Sequence, residues 1–209
     1  MRVLNLDAIT ATQALDQPYR HFICAQALKP EATAGVLRDF PAIKQTGFFP
    51  VGDLTITGDF QNLLADVEDP TFSAAVSAKL DLGLVDKPKL ITLRHWSAAS
   101  DGRIHTDSVS KIATVLIYLN ESWKDAGAGR LRVLRSASNF EDYAAEISPV
   151  VGSIFGFRRS ESSWHGHLPF PGERKVLQVT WLIDAEAVAH KTRTARVSKL
   201  LKKLNPFSR

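Results

Sequence analysis

The chain has 209 residues, of which 44% are hydrophobic and 23% are charged, and its net charge is +4. This length fits one ordinary domain or one large all-β domain. The composition is globular, because it has neither the polarity of a disordered chain nor the glycine and proline excess of a fibrous one. We therefore predict a single domain over residues 1–209.

The sequence also bears on the compartment. No apolar segment approaches the roughly 20 residues that cross a bilayer, and Asp7 interrupts the opening segment too early for a signal peptide. A single cysteine, Cys24, excludes an internal disulfide and a zinc site built from cysteines. We expect a cytoplasmic protein in a reducing environment.

The positive charge is concentrated in residues 191–209, which contain seven basic residues and no acidic one. The apolar residues of this tail form one helical stripe: Val197, Leu200, Leu201 and Leu204. A basic amphipathic helix of this kind either packs on the domain with a solvated basic face, which we favour, or contacts anionic lipid reversibly. Nucleic acid is not expected as a partner, because stacking aromatic residues are absent beyond Phe207.

The first part of the chain, residues 1–87, mixes strands and helices. The patterns predict a strand over Pro18–Cys24, a helix over Glu31–Phe40, and a helix over Asp59–Ala78 that is interrupted at Asp69-Pro70. We expect this part to support a β-rich core.

From Pro88 onward, short strands alternate with turn residues. The predicted strands are Leu90–Trp96, Ile112–Leu119, Arg130–Leu134, Gly152–Phe157 and Lys175–Ile183, and a helix follows over Glu186–Leu204. Such a series predicts a sandwich or barrel. The predicted fold is mainly β with flanking helices: a double-stranded β-helix, or jelly-roll, over residues 88–184, followed by a basic helix over 185–209.

Two histidine segments in the β-rich part carry candidate metal ligands. His105 and Asp107 lie two residues apart, so an extended backbone puts both side chains on one face. Imidazole and carboxylate together suit Fe(II), Mn or Zn, although this pair taken alone favours a structural turn. A third ligand is available from His165 or His167. Two histidines and one carboxylate occupy one face of an octahedral iron and leave three positions open.

A basic residue follows His165 by nine or ten positions and suits the distal carboxylate of a dicarboxylate bound to the metal. On a strand, Arg174 shares its face with the polar residues Gln178 and Thr180, whereas Lys175 shares its face with apolar residues. A cavity for a dicarboxylate needs polar groups inside. We therefore predict that Arg174 points inward.

Four segments occur in a fixed order: Asp101–Asp107, Val115–Asn120, Gly129–Arg132 and Trp164–Arg174. This series, over about residues 90–183, resembles the prolyl-4-hydroxylase-like branch of the 2-oxoglutarate and Fe(II)-dependent dioxygenases. The resemblance implies that His105, Asp107 and His165 bind iron. It also implies that Arg174 binds the far carboxylate of 2-oxoglutarate and that Tyr118 donates a hydrogen bond to it. One departure is Ala128-Gly129, where the family usually has Gly-Gly.

The resemblance further implies a function. It predicts an enzyme that uses Fe(II), 2-oxoglutarate and O2, with ascorbate as a further candidate, and that hydroxylates an unactivated C–H bond with release of succinate and CO2. Asp107 favours hydroxylation, because halogenating relatives lack this carboxylate. The substrate is left open between a peptide, an amino acid, a sugar and a lipid headgroup. Two alternatives remain: a non-catalytic metal-binding jelly-roll that acts as a sensor or binding module, and an enzyme that uses the metal without 2-oxoglutarate, as cupins do.

The remaining histidines and several arginines have simpler interpretations. We expect His167 at the surface or facing the substrate, and His21 and His95 as core histidines with satisfied hydrogen bonds. Four arginines flank the predicted mouth of the site, where they either attract an anionic substrate or are solvated edge charges: Arg94, Arg103, Arg158 and Arg159.

Overall fold

The computed structural model describes residues 2–124 and 127–204, with side chains through Val197. The helices are α1 (Leu6–Ala11), α2 (Pro30–Arg38), α3 (Gly58–Glu68), α4 (Pro70–Leu80) and α5 (Ala185–Leu204). The strands are β1 (Ala14–Leu15), β2 (His21–Cys24), β3 (Phe49–Pro50), β4 (Lys89–Ser97), β5 (Lys111–Tyr118), β6 (Leu131–Leu134), β7 (Tyr143–Ile147), β8 (Ile154–Arg158), β9 (His165–Gly166) and β10 (Gly172–Leu182).

The strands form two antiparallel sheets. The larger has seven strands in the order β1-β2-β8-β5-β10-β4-β3, and the smaller has three in the order β7-β6-β9. In the large sheet, the central neighbours β2-β8, β8-β5, β5-β10 and β10-β4 are distant in sequence, as in a jelly-roll. The predicted fold class, mainly β with flanking helices and a jelly-roll core, is confirmed. The assignment of residues 1–209 to one domain stays a prediction.

The alternation of side chains along β10 explains why the large sheet has two different faces. Leu177, Val179 and Trp181 belong to the larger apolar cluster, which includes α3 and α4. There the Trp181 indole donates a hydrogen bond to Ser73 Oγ at 3.2 Å. Val176, on the opposite face, packs with residues of the small sheet such as Val133. The polar cavity described below therefore lies between the two sheets, away from the helices.

Several short elements are not predicted by the sequence pattern: α1, β1, β3, β7 and β9. In addition, the strand predicted over Pro18–Cys24 is paired only over His21–Cys24. Among the described residues, no helix combines the length and the apolarity that crossing a bilayer requires. Residues 205–209 of the predicted basic segment lie outside the described residues.

Candidate metal centre

His105, Asp107 and His165 meet at one end of the cavity between the sheets. Each offers one ligand atom, and these atoms lie within 4.8 Å of one another. Two reciprocal backbone hydrogen bonds of 3.0 Å tie His105 to His165, so the two ligand segments are held together without a metal. Gly166 permits this close approach, because a Cβ at this position would lie 2.6 Å from the Gly102 carbonyl oxygen.

Backbone carbonyls orient both imidazoles. His105 Nδ1 lies 2.8 Å from the Arg103 oxygen and His165 Nδ1 lies 2.9 Å from the Ser163 oxygen. Each Nδ1–H donates to its carbonyl, which leaves the lone pair of Nε2 for a metal. Burial lowers the pKa of His165 to about 4. This imidazole is therefore neutral near pH 7, as a metal ligand must be.

Asp107 is held by hydrogen bonds on both carboxylate oxygens. Lys111 Nζ lies 2.7 Å from Oδ1, and Thr114 Oγ1 donates to Oδ2 at 2.6 Å. Burial on its own raises the pKa of Asp107, but the charge of Lys111, the charge that His165 carries below its own pKa, and the two hydrogen bonds outweigh it and bring the pKa to about 2. The carboxylate is ionised at neutral pH and fixed in orientation.

We expect Thr114→Val to weaken Fe(II) binding by about 10–100-fold, the usual effect of removing a hydrogen bond behind a metal ligand. Valine keeps the shape of the buried side chain but cannot donate to Asp107. The measurement is an anaerobic Fe(II) titration. Thr92→Val is the control, because Thr92 is equally buried and its hydroxyl has no partner among the described residues. Equal affinities for the two variants would contradict a role for Thr114 in orienting Asp107.

The cavity has a volume of about 380 Å³, which is in the range of small-molecule sites. Its walls include the three clustered residues, the cations Arg94, Arg103, Lys111 and Arg174, and apolar side chains such as Phe48, Leu116 and Leu131. The cavity therefore joins the candidate metal ligands to a predominantly cationic space.

Arg174 is the buried cation that the structure leaves without an acidic partner. It is 3% exposed, its Nε donates to the Gly129 oxygen at 2.8 Å, and its Nη2 is enclosed with no partner in the described parts of the chain. Burial lowers the pKa of this guanidinium. Tyr118 lies beside it, with the guanidinium 5.3 Å from the ring centroid, and the two side chains interact electrostatically. The enclosed Tyr118 hydroxyl makes no hydrogen bond of good geometry among the described residues.

A buried guanidinium that forms no salt bridge among the described residues is costly unless an anion completes its hydrogen bonds. A carboxylate does so through a charged pair and a hydrogen bond. Together with a cluster of two imidazoles and one carboxylate, which suits Fe(II), the residues fit a metal-chelating dicarboxylate such as 2-oxoglutarate.

The structure agrees with the predicted faces of β10. Arg174 and Gln178 line the cavity. Lys175 lies outside it, in an ion pair with Glu173 and over the ring of Phe40. The departure at Ala128-Gly129 leaves the essential glycine in place, because Gly129 has a φ of 72° and accepts the hydrogen bond from Arg174.

The structure also places the other histidines. His167 is 4% exposed and lines the cavity, but it is not part of the ligand cluster, and burial lowers its pKa to about 3. The expectation of satisfied core histidines is wrong in part. Nε2 of His21 and Nδ1 of His95 are enclosed and have no hydrogen-bond partner in the described structure.

The four flanking arginines divide into different roles. Arg159 Nε donates to the Asp107 backbone oxygen at 3.1 Å, and exposed Arg158 lines a separate surface depression with Arg20. Arg94 and Arg103 line the cavity itself. The sequence analysis did not identify Thr114, Lys111 or Phe48 as residues of the site. Thr114 lies seven residues after Asp107, on the next strand, and this spacing is the sequence feature that relates the two residues.

The fold and the cluster define a jelly-roll protein with a His-Asp-His candidate metal site. Residues 92–183 match the family model described as the 2OG-Fe(II) oxygenase superfamily. This segment, 92 of the 209 residues, contains all three clustered residues and is similar to that superfamily. The metal and cosubstrates of the superfamily are Fe(II), 2-oxoglutarate and O2. No curated protein matches the sequence.

Solved structures show the same fold. A prolyl-4-hydroxylase from Pseudomonas putida is 20% identical, with a TM-score of 0.55, and the match covers 85% of this chain and 88% of that one. A prolyl hydroxylase in complex with a hypoxia inducible factor peptide fragment from Trichoplax adhaerens is 14% identical, with a TM-score of 0.52, and the match covers 89% and 90% of the two chains. The fold is therefore that of the prolyl-4-hydroxylase-like branch.

Proposed function

We propose that the protein is a hydroxylase in which His105, Asp107 and His165 bind Fe(II). In this proposal Arg174 and Tyr118 bind the far carboxylate of 2-oxoglutarate. The main support is that the clustered ligand atoms and the unpaired Arg174 guanidinium line one cavity.

When bound, iron with 2-oxoglutarate and O2 supplies the oxidising chemistry that hydroxylates an unactivated C–H bond and yields succinate and CO2. The chain supplies position and charge. Arg174 and Tyr118 fix one end of the cosubstrate, Lys111 and Thr114 keep Asp107 ionised and oriented, and the apolar side chains of Leu116 and Leu131 reduce the access of water.

An anaerobic Fe(II) titration with and without 2-oxoglutarate tests this proposal. A bidentate 2-oxoglutarate complex gives a visible charge-transfer band, so we expect the band only when both are present. A metal-dependent enzyme of another kind would bind iron without the band. A non-catalytic sensor would show no succinate after O2 is admitted, even with candidate substrates such as proline-containing peptides.

The basic C-terminal segment is proposed to be dispensable for chemistry. Among the side chains described through Val197, helix α5 makes two polar contacts with other parts of the chain: Lys191 Nζ to Ser108 Oγ at 2.8 Å, and Arg196 to Asp53 at 2.7 Å. Exposed polar contacts of this kind contribute little, typically below about 1 kcal/mol. The proposed cavity residues all precede α5.

A chain that ends at His190 should therefore keep its substrate-free turnover of 2-oxoglutarate within about threefold of the full-length value. Succinate release measures this turnover, and circular dichroism checks the fold. Lys191→Met in the full-length chain is the matched control for the Ser108 contact. A folded, truncated chain without turnover would show instead that α5 shapes the cavity.

We further propose a cytoplasmic location, with packing of the tail on the domain as the favoured state and reversible contact with anionic membranes as the alternative to be tested. The observation that supports membrane contact is the cluster of seven basic residues in 191–209. If this contact occurs, the full-length protein should sediment with vesicles that contain phosphatidylserine, and salt should release it, because surface electrostatics are screened within about 10 Å at 0.1 M salt. Binding that ignores salt, or no binding, would refute the membrane proposal.

A further inference from the structure

A second buried guanidinium, Arg94, lines the same cavity without contacting the candidate metal ligands or Tyr118. We propose that Arg94 binds a carboxylate of the substrate, so that the enzyme hydroxylates a carboxylate-bearing molecule. This inference rests on the proposed function and specifies its substrate class.

Arg94 is buried, and its hydrogen-bonding capacity is incompletely used. Arg94 as a whole residue is 8% exposed, and its guanidinium carbon lies 4.2 Å from the centroid of the Phe48 ring. Nη1 approaches Ser97 Oγ at 3.3 Å and Asp101 Oδ2 at 3.4 Å, both long contacts. Nε is enclosed with no partner among the described residues. A guanidinium has five N–H donors in a planar fork, so Arg94 retains the capacity to bind a carboxylate.

Asp101 is an incomplete counterion for Arg94. The same oxygen, Oδ2, accepts a hydrogen bond from the backbone nitrogen of Ala98 at 2.9 Å. Its side chain is 24% exposed, whereas that of Arg94 is 10% exposed. The acid therefore anchors its own loop, and its contact of 3.4 Å with the guanidinium is longer than the 2.7–2.9 Å of a strong charged hydrogen bond.

The charges of the cavity also favour an anion. Among the described residues that line it, Arg94, Arg103, Lys111 and Arg174 are cationic, and Asp101 and Asp107 are anionic. An Fe(II) ion and a 2-oxoglutarate dianion cancel each other, so loading both leaves the cationic excess unchanged. Burial lowers the pKa of Arg94 to about 10, with a further contribution from Arg174. Arg94 thus remains charged at neutral pH.

Arg94 approaches the cavity from a different strand than the groups assigned to the cosubstrate. Val176 on β10 pairs with Arg94 on β4 at one side and with Tyr118 on β5 at the other. Two strand spacings, about 10 Å, therefore separate the backbones of Arg94 and Tyr118. A carboxylate bound at Tyr118 and Arg174 leaves Arg94 available, beside Phe48 and the loop of Ser100 to Arg103.

Nitrogen-15 NMR of the arginine Nε–H groups tests this inference directly. The sample is the full-length protein with Zn(II) as a diamagnetic replacement for iron and with saturating 2-oxoglutarate. The Arg94 resonance is identified by its loss in Arg94→Gln or, should that variant not fold, in Arg94→Lys. Acetate is the probe, and acetamide is the neutral probe of similar shape.

We expect acetate to shift the Arg94 Nε–H resonance to saturation at millimolar concentration, and acetamide to leave it unchanged. The shift should persist in Arg103→Gln, which removes an exposed cation of the same cavity. No acetate shift, or an equal shift with acetamide, would overturn the inference. Failure of the proposed function is separate, because it would appear as an Arg174 resonance that does not respond to 2-oxoglutarate.

Discussion

Replacing His165 with alanine should abolish high-affinity Fe(II) binding and, with it, 2-oxoglutarate turnover. His165 supplies one of three clustered ligand atoms, and its ring is held by the Ser163 carbonyl and lies 4.6 Å from the Phe157 ring. Two remaining ligands cannot hold one face of an octahedral ion. The affinity loss should exceed the roughly 100-fold upper range for removing a supporting hydrogen bond. Anaerobic Fe(II) titration and succinate release are the measurements.

His167→Ala is the matched control, because His167 lies two residues away, is equally buried and lines the same cavity. We expect this variant to bind Fe(II) normally, since His167 is not in the ligand cluster. The reverse result, in which His167→Ala loses iron and His165→Ala keeps it, would show that the ligand assignment is wrong.

The second large effect is expected at Arg174. Arg174→Ala should weaken 2-oxoglutarate binding by about 30- to several thousand-fold, because losing one partner of a buried charged pair costs about 2–5 kcal/mol. The cost is high because the distal carboxylate would be left in the cavity beside Tyr118 without its cation. The dissociation constant is measured from the charge-transfer band of the anaerobic Fe(II) complex.

Lys175→Ala is the neighbouring control and should change this constant by less than about threefold. Lys175 contacts Glu173 and Phe40 on the other side of β10, outside the cavity. If Lys175→Ala had the larger effect, the cosubstrate would have to bind on the opposite face of β10, and the proposed cavity would be wrong.

Both experiments probe a site whose residues come from separate parts of the chain. His105 and Asp107 precede β5, His165 begins β9, and Arg174 lies in β10. The variants at His165 and Arg174 therefore separate two functions of one cavity. The first should remove iron, whereas the second should leave iron affinity intact and remove the cosubstrate.

Strands β4, β5, β6, β8 and β10 and the helices α2 to α5 were predicted from sequence to within a few residues. Strands β5, β6 and β8 are short apolar segments that are mostly buried on both faces, and turn residues bound them. Helices α2 and α3 have an amphipathic period with one buried face. Strand β7 was missed because Tyr143 and Ala144 are exposed, so it shows no alternation of apolar and polar residues. The two-residue strands β1, β3 and β9 are too short to have a period, and only their partners define them.

The sequence by itself put His105 and Asp107 on one face, because a two-residue spacing on extended backbone is a local property, and the family resemblance made them candidate ligands. It also determined the inward face of Arg174, because Gln178 and Thr180 follow on the same side of one strand. The spacing left the third ligand open between His165 and His167, and the tertiary structure decided between them. It brought His165 into the cluster and kept His167 out of it.

Tertiary structure also divided the arginines that the sequence left equivalent, since Arg94 is buried under Phe48 whereas Arg158 is exposed on another surface. The physical reason is that burial and charge pairing depend on which distant segments pack together. Thr114 reaches Asp107 because the chain turns after Asp107 and enters strand β5. Arg94 is enclosed because β3 pairs with β4 and brings the neighbouring Phe48 ring against its guanidinium. Neither contact leaves a periodic signal in the sequence around it.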